Sequence, residues 1–496
     1  MTTHAEPVGE SPVAKEFPEG LPVGDAWVEA PATEDVRFPY DGTFVAGAPI
    51  GDTALARHAV DAALAVRERV GRLPSHVRRG ALLATHQALA SRRADFERLL
   101  VLETGKPLVD CRVEVDRTLL TLLTAAEEVA RLHGETVPLD LLPSGEGLLG
   151  FWTRKPIGVV VGIAGFNYPL LLAAHKIAPS LAAGCPIIVK PAPQTPLATL
   201  WLVHLLREAL RAGGAPQAAV QLVTGGPEVG IALTTDRRIG AVSFTGSAAV
   251  GHQIARDAAP TKVLLELGSN AALVVAADAD LDAAADAVVR GGYYASGQAC
   301  ISVQRVIVVD SVRKEFVARL TERVAQVAVG DPRDPQTRVS ALIDKRSTER
   351  VRAWLAEAVE AGASLVAGGS VTDGVIEPAL LLDVDRALAV WDEEVFGPVV
   401  AVRSVPDLET AFDLVNDSRY GLHASVYTSA LDTAFAALDR LEVGGVVVNE
   451  VPGFRSDVMP YGGVKDSGAG REGPRFAIEE LTVTRMAVIR PTMKKP

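Results

Sequence analysis

The sequence predicts an α/β fold in which two lobes each contain a parallel β-sheet with helices on both faces. Short β-branched runs alternate with helical patterns over residues 157–267, and a second series of this kind covers residues 272–449. Such alternation is typical of parallel sheets, because the crossover helices cover both faces. Before the first series, residues 134–156 predict a small hairpin that extends away from the core.

The individual elements follow from the spacing of apolar residues. Apolar positions three and four residues apart predict helices at 53–70, 75–104, 108–132 and 347–361. In the first lobe, β-branched runs predict buried strands at 157–163, 186–190, 220–223, 241–244 and 262–266. In the second lobe, similar runs predict strands at 303–309, 399–402 and 446–448. Alternating apolar residues predict a terminal edge strand at 481–489.

Length and charge limit the classes of protein to consider. The chain has 496 residues, of which 48% are hydrophobic, and a formal net charge of −12. This length is sufficient for more than one domain and more than one hydrophobic core. Nucleic acids and anionic membranes bind concentrated Lys and Arg, so the acidic balance argues against both as partners.

The cysteines indicate a reducing compartment. Cys111, Cys185 and Cys300 are too few and too scattered for a disulfide framework or a zinc cluster, so we expect no metal and a cytoplasmic location. Residues 1–19 contain no basic segment that leads into an apolar run, so no secretory signal is expected. The apolar stretch 157–174 is interrupted by glycines and a proline, which favours strand, turn and helix over a membrane span.

Two glycine-bearing turns are candidate phosphate sites. Residues 225–230 and 244–247 each follow a predicted strand and open a helix, where free backbone N–H groups attract anions. Neither turn has the spaced glycines of the common dinucleotide fingerprint, so each alone is a weak signal and is more often a tight turn. Together they lie at the edge where open α/β sheets bind ligands, which favours a phosphate site.

Three side chains have the chemistry that a covalent catalyst needs. Cys300 lies in a loop between a predicted helix and strand, and a thiol of lowered pKa is a good nucleophile. Glu266 closes an apolar strand, where burial raises a carboxyl pKa toward the range of a general base. Asn167 follows another strand end, where its amide is either a turn former or an oxyanion donor. Cys111 and Cys185 are interpreted as small core residues.

Seven motifs together resemble the aldehyde dehydrogenase superfamily. They occur in that family's order and approximate spacing, so that each modest motif supports the others. The motifs are FNYP at 166–169, KPA at 190–192, FTGS at 244–247, LELG at 265–268, GQAC at 297–300, EVFGP at 394–398 and YGGVKDSG at 461–468.

The resemblance implies an aldehyde dehydrogenase-like fold with a Rossmann-like cofactor lobe and a catalytic lobe. It also implies NAD(P)-dependent oxidation of an aldehyde to a carboxylic acid through a cysteine thiohemiacetal and a thioester. By position, Cys300 is the implied nucleophile, and Glu266 is the base that activates the hydrolytic water. The Asn167 amide and the Cys300 backbone N–H are the implied oxyanion donors.

The resemblance further assigns residues to the cofactor. Lys190 is implied at the adenosine ribose, and Gly246 and Ser247 at the pyrophosphate. Glu394 is implied at the nicotinamide ribose, and Phe396 near the nicotinamide ring. The implied residues on the adenine side are Gly226, Pro227 and Gly230.

Ser269 and Asn270 after Gly268, and the run CISVQR at 300–305, resemble the subgroup that acts on short polar aldehydes such as lactaldehyde, phosphonoacetaldehyde and sulfoacetaldehyde. Phosphonate-handling relatives carry an arginine near Leu122 or Leu123. Its absence here argues against a strongly anionic substrate tail at that wall. Arg455 is equally interpreted as an anion ligand or as part of a structural salt bridge. The implied pocket residues are Tyr168, His175, Leu123, Arg455 and Tyr461.

The choice between NAD and NADP depends on one position. Many NAD-preferring members carry a glutamate near position 193 that binds the adenosine 2′-OH, whereas this chain has Pro193. Proline neither makes that contact nor repels a 2′-phosphate. NAD is the favoured prediction, and NADP stays open.

The domain bounds also follow from the resemblance. Residues 1–133 and 157–267 are assigned to a dinucleotide-binding domain, and 268–455 to a catalytic domain. Residues 134–156 and 481–496 are the oligomerisation segments of a homodimer or homotetramer. Two alternatives stay open: a CoA-acylating relative, and a non-catalytic nucleotide-binding paralogue. The intact Glu266 argues against the first, and the intact set of Cys300, Glu266 and Asn167 against the second.

Overall fold

The structure is a computed structural model that describes residues 17–491. Two predicted segments extend beyond this range. Residues 1–16 of the predicted dinucleotide-binding domain and residues 492–496 of the second oligomerisation segment lie outside the described residues.

The N-terminal part consists of two antiparallel strand pairs and four helices that pack on the first lobe. The strands are β1 (Leu21–Val23), β2 (Ala26–Val28), β3 (Ala32–Arg37) and β4 (Phe44–Ile50). The helices are α1 (Thr53–Gly71), α2 (Ser75–Ala90), α3 (Arg93–Thr104) and α4 (Leu108–Glu128). The helical pattern predicted over 75–104 corresponds to two helices, α2 and α3. The chain turns between α2 and α3 at Ser91, whose hydroxyl donates to the backbone carbonyl of Ala88 and competes with the helical pattern.

The next segment contains the predicted hairpin, followed by alternating strands and helices. The hairpin strands are β5 (Glu135–Val137) and β6 (Leu149–Pro156), which pair antiparallel and confirm that prediction. The alternating elements are β7 (Val159–Ile163), α5 (Pro169–Ala183), β8 (Ile187–Lys190), α6 (Leu197–Ala212), β9 (Val220–Leu222), α7 (Pro227–Thr234), β10 (Ile239–Thr245), α8 (Ala248–Ala258) and β11 (Lys262–Glu266).

The second lobe begins after β11 and ends with its own edge strand. Its strands are β12 (Ala272–Val275), β13 (Arg305–Val309), β14 (Ser364–Ala367), β15 (Val371–Thr372), β16 (Val375–Ile376), β17 (Ala379–Leu382), β18 (Val399–Val405), β19 (Tyr420–Gly421), β20 (His423–Tyr427) and β21 (Gly445–Val448). Its helices are α9 (Leu281–Tyr293), α10 (Asp310–Val324), α11 (Lys345–Glu360), α12 (Ala389–Asp392), α13 (Leu408–Asn416) and α14 (Leu431–Arg440).

The C-terminal segment returns to the first lobe. It contains β22 (Val464–Lys465), β23 (Gly468–Ala469), α15 (Pro474–Glu480) and β24 (Thr482–Ile489). The predicted terminal strand is confirmed, since β24 pairs antiparallel with β6 over its whole length, from Thr482↔Pro156 to Ile489↔Leu149. Strands β24, β6 and β5 form a three-stranded sheet in that order.

Both large sheets have the predicted parallel character. The first sheet has the order β23-β11-β10-β7-β8-β9, in which only β23 is antiparallel. The second has the order β14-β17-β18-β13-β12-β20-β21, in which only β14 is antiparallel. The predicted α/β class is therefore confirmed. In the first sheet the strand order reverses between β7 and β10, and ligands of open α/β sheets bind at such a switch point.

Within residues 17–491, no helix is both long enough and apolar enough to span a bilayer.

Candidate active site

A cavity of about 510 Å³ lies between the two lobes, beyond the carboxyl ends of β7, β10 and β11. Its wall contains the three predicted catalytic residues Cys300, Glu266 and Asn167. Most of the other predicted site residues also line it, namely Gly246, Ser247, Glu394, Phe396, Tyr168, His175, Arg455 and Tyr461. The fold therefore brings together side chains from distant parts of the sequence.

Cys300 is positioned by a loop with an uncommon backbone conformation. Ala295 and Ser296 have positive φ angles of 48° and 56°, and Gly297 follows at 73°. The Ala295 N–H donates to Asp110 Oδ2 at 2.9 Å, and this bond attaches the loop to helix α4. A β-carbon at Gly297 would lie 2.0 Å from a backbone oxygen of a neighbouring loop, so glycine is required there. Backbone strain that the surroundings hold in place is frequent at functional sites.

The Cys300 thiol is partly buried and contacts a tyrosine. Its Sγ lies 3.3 Å from the hydroxyl oxygen of Tyr461. Burial raises the pKa of the thiol to about 12, the Tyr461 hydrogen bond lowers it, and the nearby carboxyls of Glu394 and Glu266 raise it. The thiolate is therefore formed only with the help of hydrogen-bond donors and positive charge.

Asn167 is held from two sides beside the Cys300 loop. Its Nδ2 donates to the backbone carbonyl of Gln298 at 2.9 Å, and its backbone carbonyl accepts from Lys106 Nζ at 2.8 Å. Lys106 also forms a buried ion pair with Glu114, whose Oε1 accepts the first N–H groups of α5 at 2.9 and 3.2 Å. An amide nitrogen carries two hydrogens, so one remains for an oxyanion. The Cys300 N–H makes no hydrogen bond within residues 17–491 and is a second donor.

Glu266 is the last residue of β11, and its carboxyl is buried in the cavity wall. Within the described residues, its Oε2 has no hydrogen-bond partner. Burial, followed by the carboxylate of Glu472, raises the pKa of Glu266 well above its usual value, although Arg455 opposes the shift. An unpaired carboxyl oxygen at a cavity is the arrangement expected of a group that binds water or substrate there.

A cluster of charged side chains lies behind Glu266. Glu472 contacts Arg455 Nη2 and His175 Nδ1, each at 3.1 Å, and Lys176 Nζ at 3.4 Å. Burial raises the pKa of Glu472, but His175, Lys176 and Arg455 together hold it well below the usual range. Glu472 is therefore ionised over a pH range in which Glu266 is still protonated.

Asp457 extends this cluster toward helix α4. It accepts from Arg117 Nε and Nη2 at 3.0 and 2.8 Å, and its Oδ1 lies 3.0 Å from His175 Nε2. Burial raises the pKa of Asp457, but His175 and Arg117 bring it well below its ordinary value. A carboxylate oxygen therefore lies beside each ring nitrogen of His175, Asp457 at Nε2 and Glu472 at Nδ1.

The structure provides an anion site at the predicted pyrophosphate turn. Gly246 and Ser247 connect β10 to α8, an eleven-residue helix. No side chain caps its N-terminus, so its first N–H groups remain available to a phosphate. Across the cavity, Glu394 Oε1 accepts from the Ser269 N–H at 3.0 Å, and burial raises the Glu394 pKa to about 7. The Phe396 ring packs edge-on against the Phe166 ring, with 5.6 Å between the ring centroids.

The predicted adenosine-side residues lie outside the cavity wall, around the ends of β8 and β9. Lys190 ends β8 and is buried, and burial lowers its pKa to about 8 while Glu228 opposes the shift. A β-carbon at Gly230 would lie 3.8 Å from the Lys190 side chain, so α7 and β8 approach each other closely. Gly226 caps α7, which begins at Pro227. A dinucleotide fits this arrangement, because the buried amine and the two helix N-termini offer donors and the carboxyl across the cavity offers an acceptor.

The pocket prediction at Leu123 is wrong. Leu123 is not among the residues that line the cavity, and Leu122 is fully buried in the core of the first lobe. Arg117, about one and a half turns earlier on α4, lines the cavity instead. The helix therefore supplies an arginine to the substrate wall from a position N-terminal to the stretch around Leu122 and Leu123.

Five site residues were not anticipated by the sequence. A charged residue inside a helical or loop pattern is usually exposed, so sequence patterns alone assign no partner to them. A weak signal existed for Lys106, which follows a helix and precedes a proline in the run Thr104 to Pro107. The five residues are Lys106, Glu114, Arg117, Asp457 and Glu472.

Comparison with known proteins places this site in a family. The model of the aldehyde dehydrogenase family matches residues 27–487. The chain is 41% identical to 3-sulfolactaldehyde dehydrogenase of Priestia aryabhattai over 82% of this chain and 85% of the relative.

Two solved structures have the same fold. One is aldehyde dehydrogenase 21 from Physcomitrella patens in complex with the reaction product succinate, with a TM-score of 0.92, 34% identity, and coverage of 95% of this chain and 98% of the other. The second is glyceraldehyde-3-phosphate dehydrogenase from Methanocaldococcus jannaschii complexed with NADP, with a TM-score of 0.89, 33% identity, and coverage of 93% and 100%. The predicted family and fold are confirmed: this chain is a member of the aldehyde dehydrogenase family.

Proposed function

We propose that this chain oxidises a short polar aldehyde to its carboxylic acid, with NAD or NADP as the hydride acceptor. The observation that carries this proposal is the convergence of Cys300, Glu266 and Asn167 on one cavity, next to the uncapped N-terminus of α8. The nicotinamide, when bound, accepts the hydride that leaves the substrate carbon. The chain's own residues perform the other steps.

Cys300 begins the reaction. Its thiolate attacks the aldehyde carbon, a C–S bond forms, and the carbonyl electron pair moves to oxygen. The Asn167 amide and the Cys300 N–H donate to that oxyanion. After the carbon is oxidised, the acyl group remains on the sulfur as a thioester.

Glu266 completes the reaction. It takes a proton from a water molecule whose oxygen bonds to the acyl carbon, and the C–S bond breaks to return the thiolate and release the acid. Burial raises its pKa, and a carboxylate of raised pKa is a stronger base toward water than an ordinary carboxylate.

The cofactor lies along the edge of the first sheet in this proposal. The N-terminus of α8 at Ser247 would hold the pyrophosphate, and Glu394 the nicotinamide ribose. Lys190, Gly226, Pro227 and Gly230 would hold the adenosine half. NAD is the favoured cofactor on the sequence, whereas the similar enzyme of Methanocaldococcus jannaschii is complexed with NADP, so both are to be tested.

A polar or anionic substrate tail is favoured by the charge of the inner wall. Arg117 and Arg455 line the cavity, where Arg117 pairs with Asp457 and Arg455 pairs with Glu472. Burial and the neighbouring Glu472 raise the pKa of Glu266, which reduces the negative charge that it adds to this wall. The names of the similar sulfolactaldehyde and glyceraldehyde-3-phosphate dehydrogenases describe anionic aldehydes and agree with this inference.

A homodimer or homotetramer is proposed from exposed apolar surface. Helix α14 exposes Leu431, Phe435 and Leu438, by 70%, 57% and 54%, on one face. Strand β21 next to it is the outer strand of its sheet and presents unpaired backbone groups. Apolar surface beside an open strand edge is typical of an interface. Light scattering after size-exclusion chromatography tests this proposal, with Phe435→Glu expected to reduce the oligomer mass.

A reducing compartment such as the cytoplasm is proposed from the thiols. All three cysteines are free, and the mechanism requires Cys300 to be reduced.

Stopped-flow absorbance of the reduced nicotinamide tests the proposed reaction. Short hydroxy-, carboxy-, sulfo-, phospho- and unsubstituted aldehydes are mixed with enzyme and NAD or NADP, with and without CoA. The proposal requires a burst followed by steady turnover without CoA, and a Cys300→Ala variant that has neither. Turnover only with CoA would favour a CoA-acylating enzyme, and no burst with any aldehyde would favour a non-catalytic paralogue.

A further inference from the structure

Tyr461 brings a phenol hydroxyl to the sulfur of Cys300. The 3.3 Å distance between Oη and Sγ is within the range of a hydrogen bond to sulfur. Within residues 17–491 this hydroxyl makes no other hydrogen bond, although the side chain is buried. The hydroxyl is therefore committed to the thiol rather than to the protein core.

The ring of Tyr461 is fixed on both sides. The Arg455 guanidinium carbon lies 3.8 Å from the ring centroid, and the His423 ring packs at 5.0 Å with an interplanar angle of 63°. His423 is itself oriented by a contact of 3.0 Å between Nδ1 and the carbonyl of Pro452. The backbone of Tyr461 pairs with that of Glu472, so the hydroxyl cannot swing away from Cys300 without breaking several contacts.

We propose that Tyr461 is a further catalytic residue, whose hydroxyl donates a hydrogen bond to Cys300 Sγ and stabilises the attacking thiolate. The proposal rests on the proposed function, in which Cys300 is the nucleophile. The thiol proton is released to water, and the tyrosine keeps its own proton. Burial and the neighbouring Cys300 raise the pKa of Tyr461 well above its usual value, so the phenol stays a donor through the working pH range.

The Tyr461 hydroxyl favours the Cys300 thiolate in surroundings that otherwise disfavour it. Burial is the main effect that raises the Cys300 pKa, and the carboxyls of Glu394 and Glu266 add to it. Arg455 and the Tyr461 hydroxyl are the groups that favour the thiolate. Arg455 acts in part through the ring that it covers, and is a positioning residue in this respect.

The rate of Cys300 alkylation by iodoacetamide, followed against pH by peptide mass spectrometry, tests the proposal without requiring activity. For Tyr461→Phe we expect the pH midpoint of alkylation to rise by about one unit, and the rate at pH 7.5 to fall by about tenfold. The acylation burst should slow by a similar factor. An unchanged midpoint in a variant of parental melting temperature would overturn the proposal.

Two further variants keep the test independent of folding. Tyr294→Phe removes another cavity hydroxyl, for which no hydrogen bond to Cys300 is present, and should leave the alkylation midpoint unchanged. Replacement of Tyr461 by 3,5-difluorotyrosine strengthens the donor and should lower the midpoint, whereas a midpoint that rises or stays constant contradicts the proposal. If Cys300→Ala retained full turnover, the proposed function would fail, while the alkylation profile would still decide whether the contact exists.

Discussion

Arg117 and Asp457 form a bidentate ion pair across 340 residues of sequence, with nitrogen–oxygen distances of 3.0 and 2.8 Å. The pair connects α4 of the N-terminal part to the loop before β22, and His175 contacts the same carboxylate. Planar, charge-assisted pairs of this kind fix geometry as well as charge. This ion pair therefore connects the substrate wall to the charged cluster across distant parts of the chain.

Arg117 should determine the selectivity for the substrate tail. For Arg117→Met we expect the KM of anionic aldehydes to rise about tenfold or more, because a charge-assisted contact is lost. The KM of an unsubstituted aldehyde of equal length should change by less than about threefold. Steady-state kinetics with matched aldehydes measures both values. Arg112→Met, an exposed position on the same helix, is the control, and equal losses for charged and uncharged aldehydes would contradict the assignment.

Glu266→Gln should separate the two halves of the reaction. Acylation and hydride transfer should survive, so the stopped-flow burst is retained, while steady turnover falls by about a hundredfold because no base activates water. Hydroxylamine needs no such base and should restore turnover by attacking the thioester. Loss of the burst itself, or steady turnover equal to that of the parent, would show that Glu266 has another role.

Glu472 should set the pH dependence of thioester hydrolysis. Its negative charge is one of the causes of the raised Glu266 pKa, while Arg455 and Lys176 oppose that rise. Neutralising it in Glu472→Gln removes the repulsion, so the pKa of Glu266 should fall. Because hydrolysis requires ionised Glu266, the acid limb of the hydrolysis rate should move to lower pH, by about one unit. Rates of thioester hydrolysis between pH 5 and 9 measure this shift, and a limb that moves upward would refute it.

Pro193 should permit NADP binding. Pro193→Glu places a carboxylate near the adenosine ribose, so the dissociation constant of NADP should rise about tenfold or more through repulsion of the 2′-phosphate. That of NAD should stay constant or fall. Fluorescence titration with both cofactors gives the ratio, and Gln194→Glu on the neighbouring residue controls for charge alone. If the ratio of the NADP and NAD dissociation constants is unchanged in Pro193→Glu, the adenosine 2′ position does not lie near residue 193.

The sequence by itself determined the α/β class, the hairpin, the terminal strand and the three candidate catalytic residues of the cavity. These features are local. Alternating β-branched and helical patterns record how each segment is buried, and the motif around Cys300 or Glu266 is continuous in sequence. The order of the motifs therefore indicates both the family and the nucleophile without reference to any tertiary contact.

Only the tertiary structure decided which charges meet. Arg117, Asp457, His175 and Glu472 come from separate elements, and nothing in their local sequence states that β23 pairs with β11 and carries the C-terminal segment over Glu266. The same folding placed Arg117 rather than Leu123 in the substrate wall. Electrostatic energies depend on distance and burial in three dimensions, so pKa shifts and ion pairs arise only when distant segments pack together.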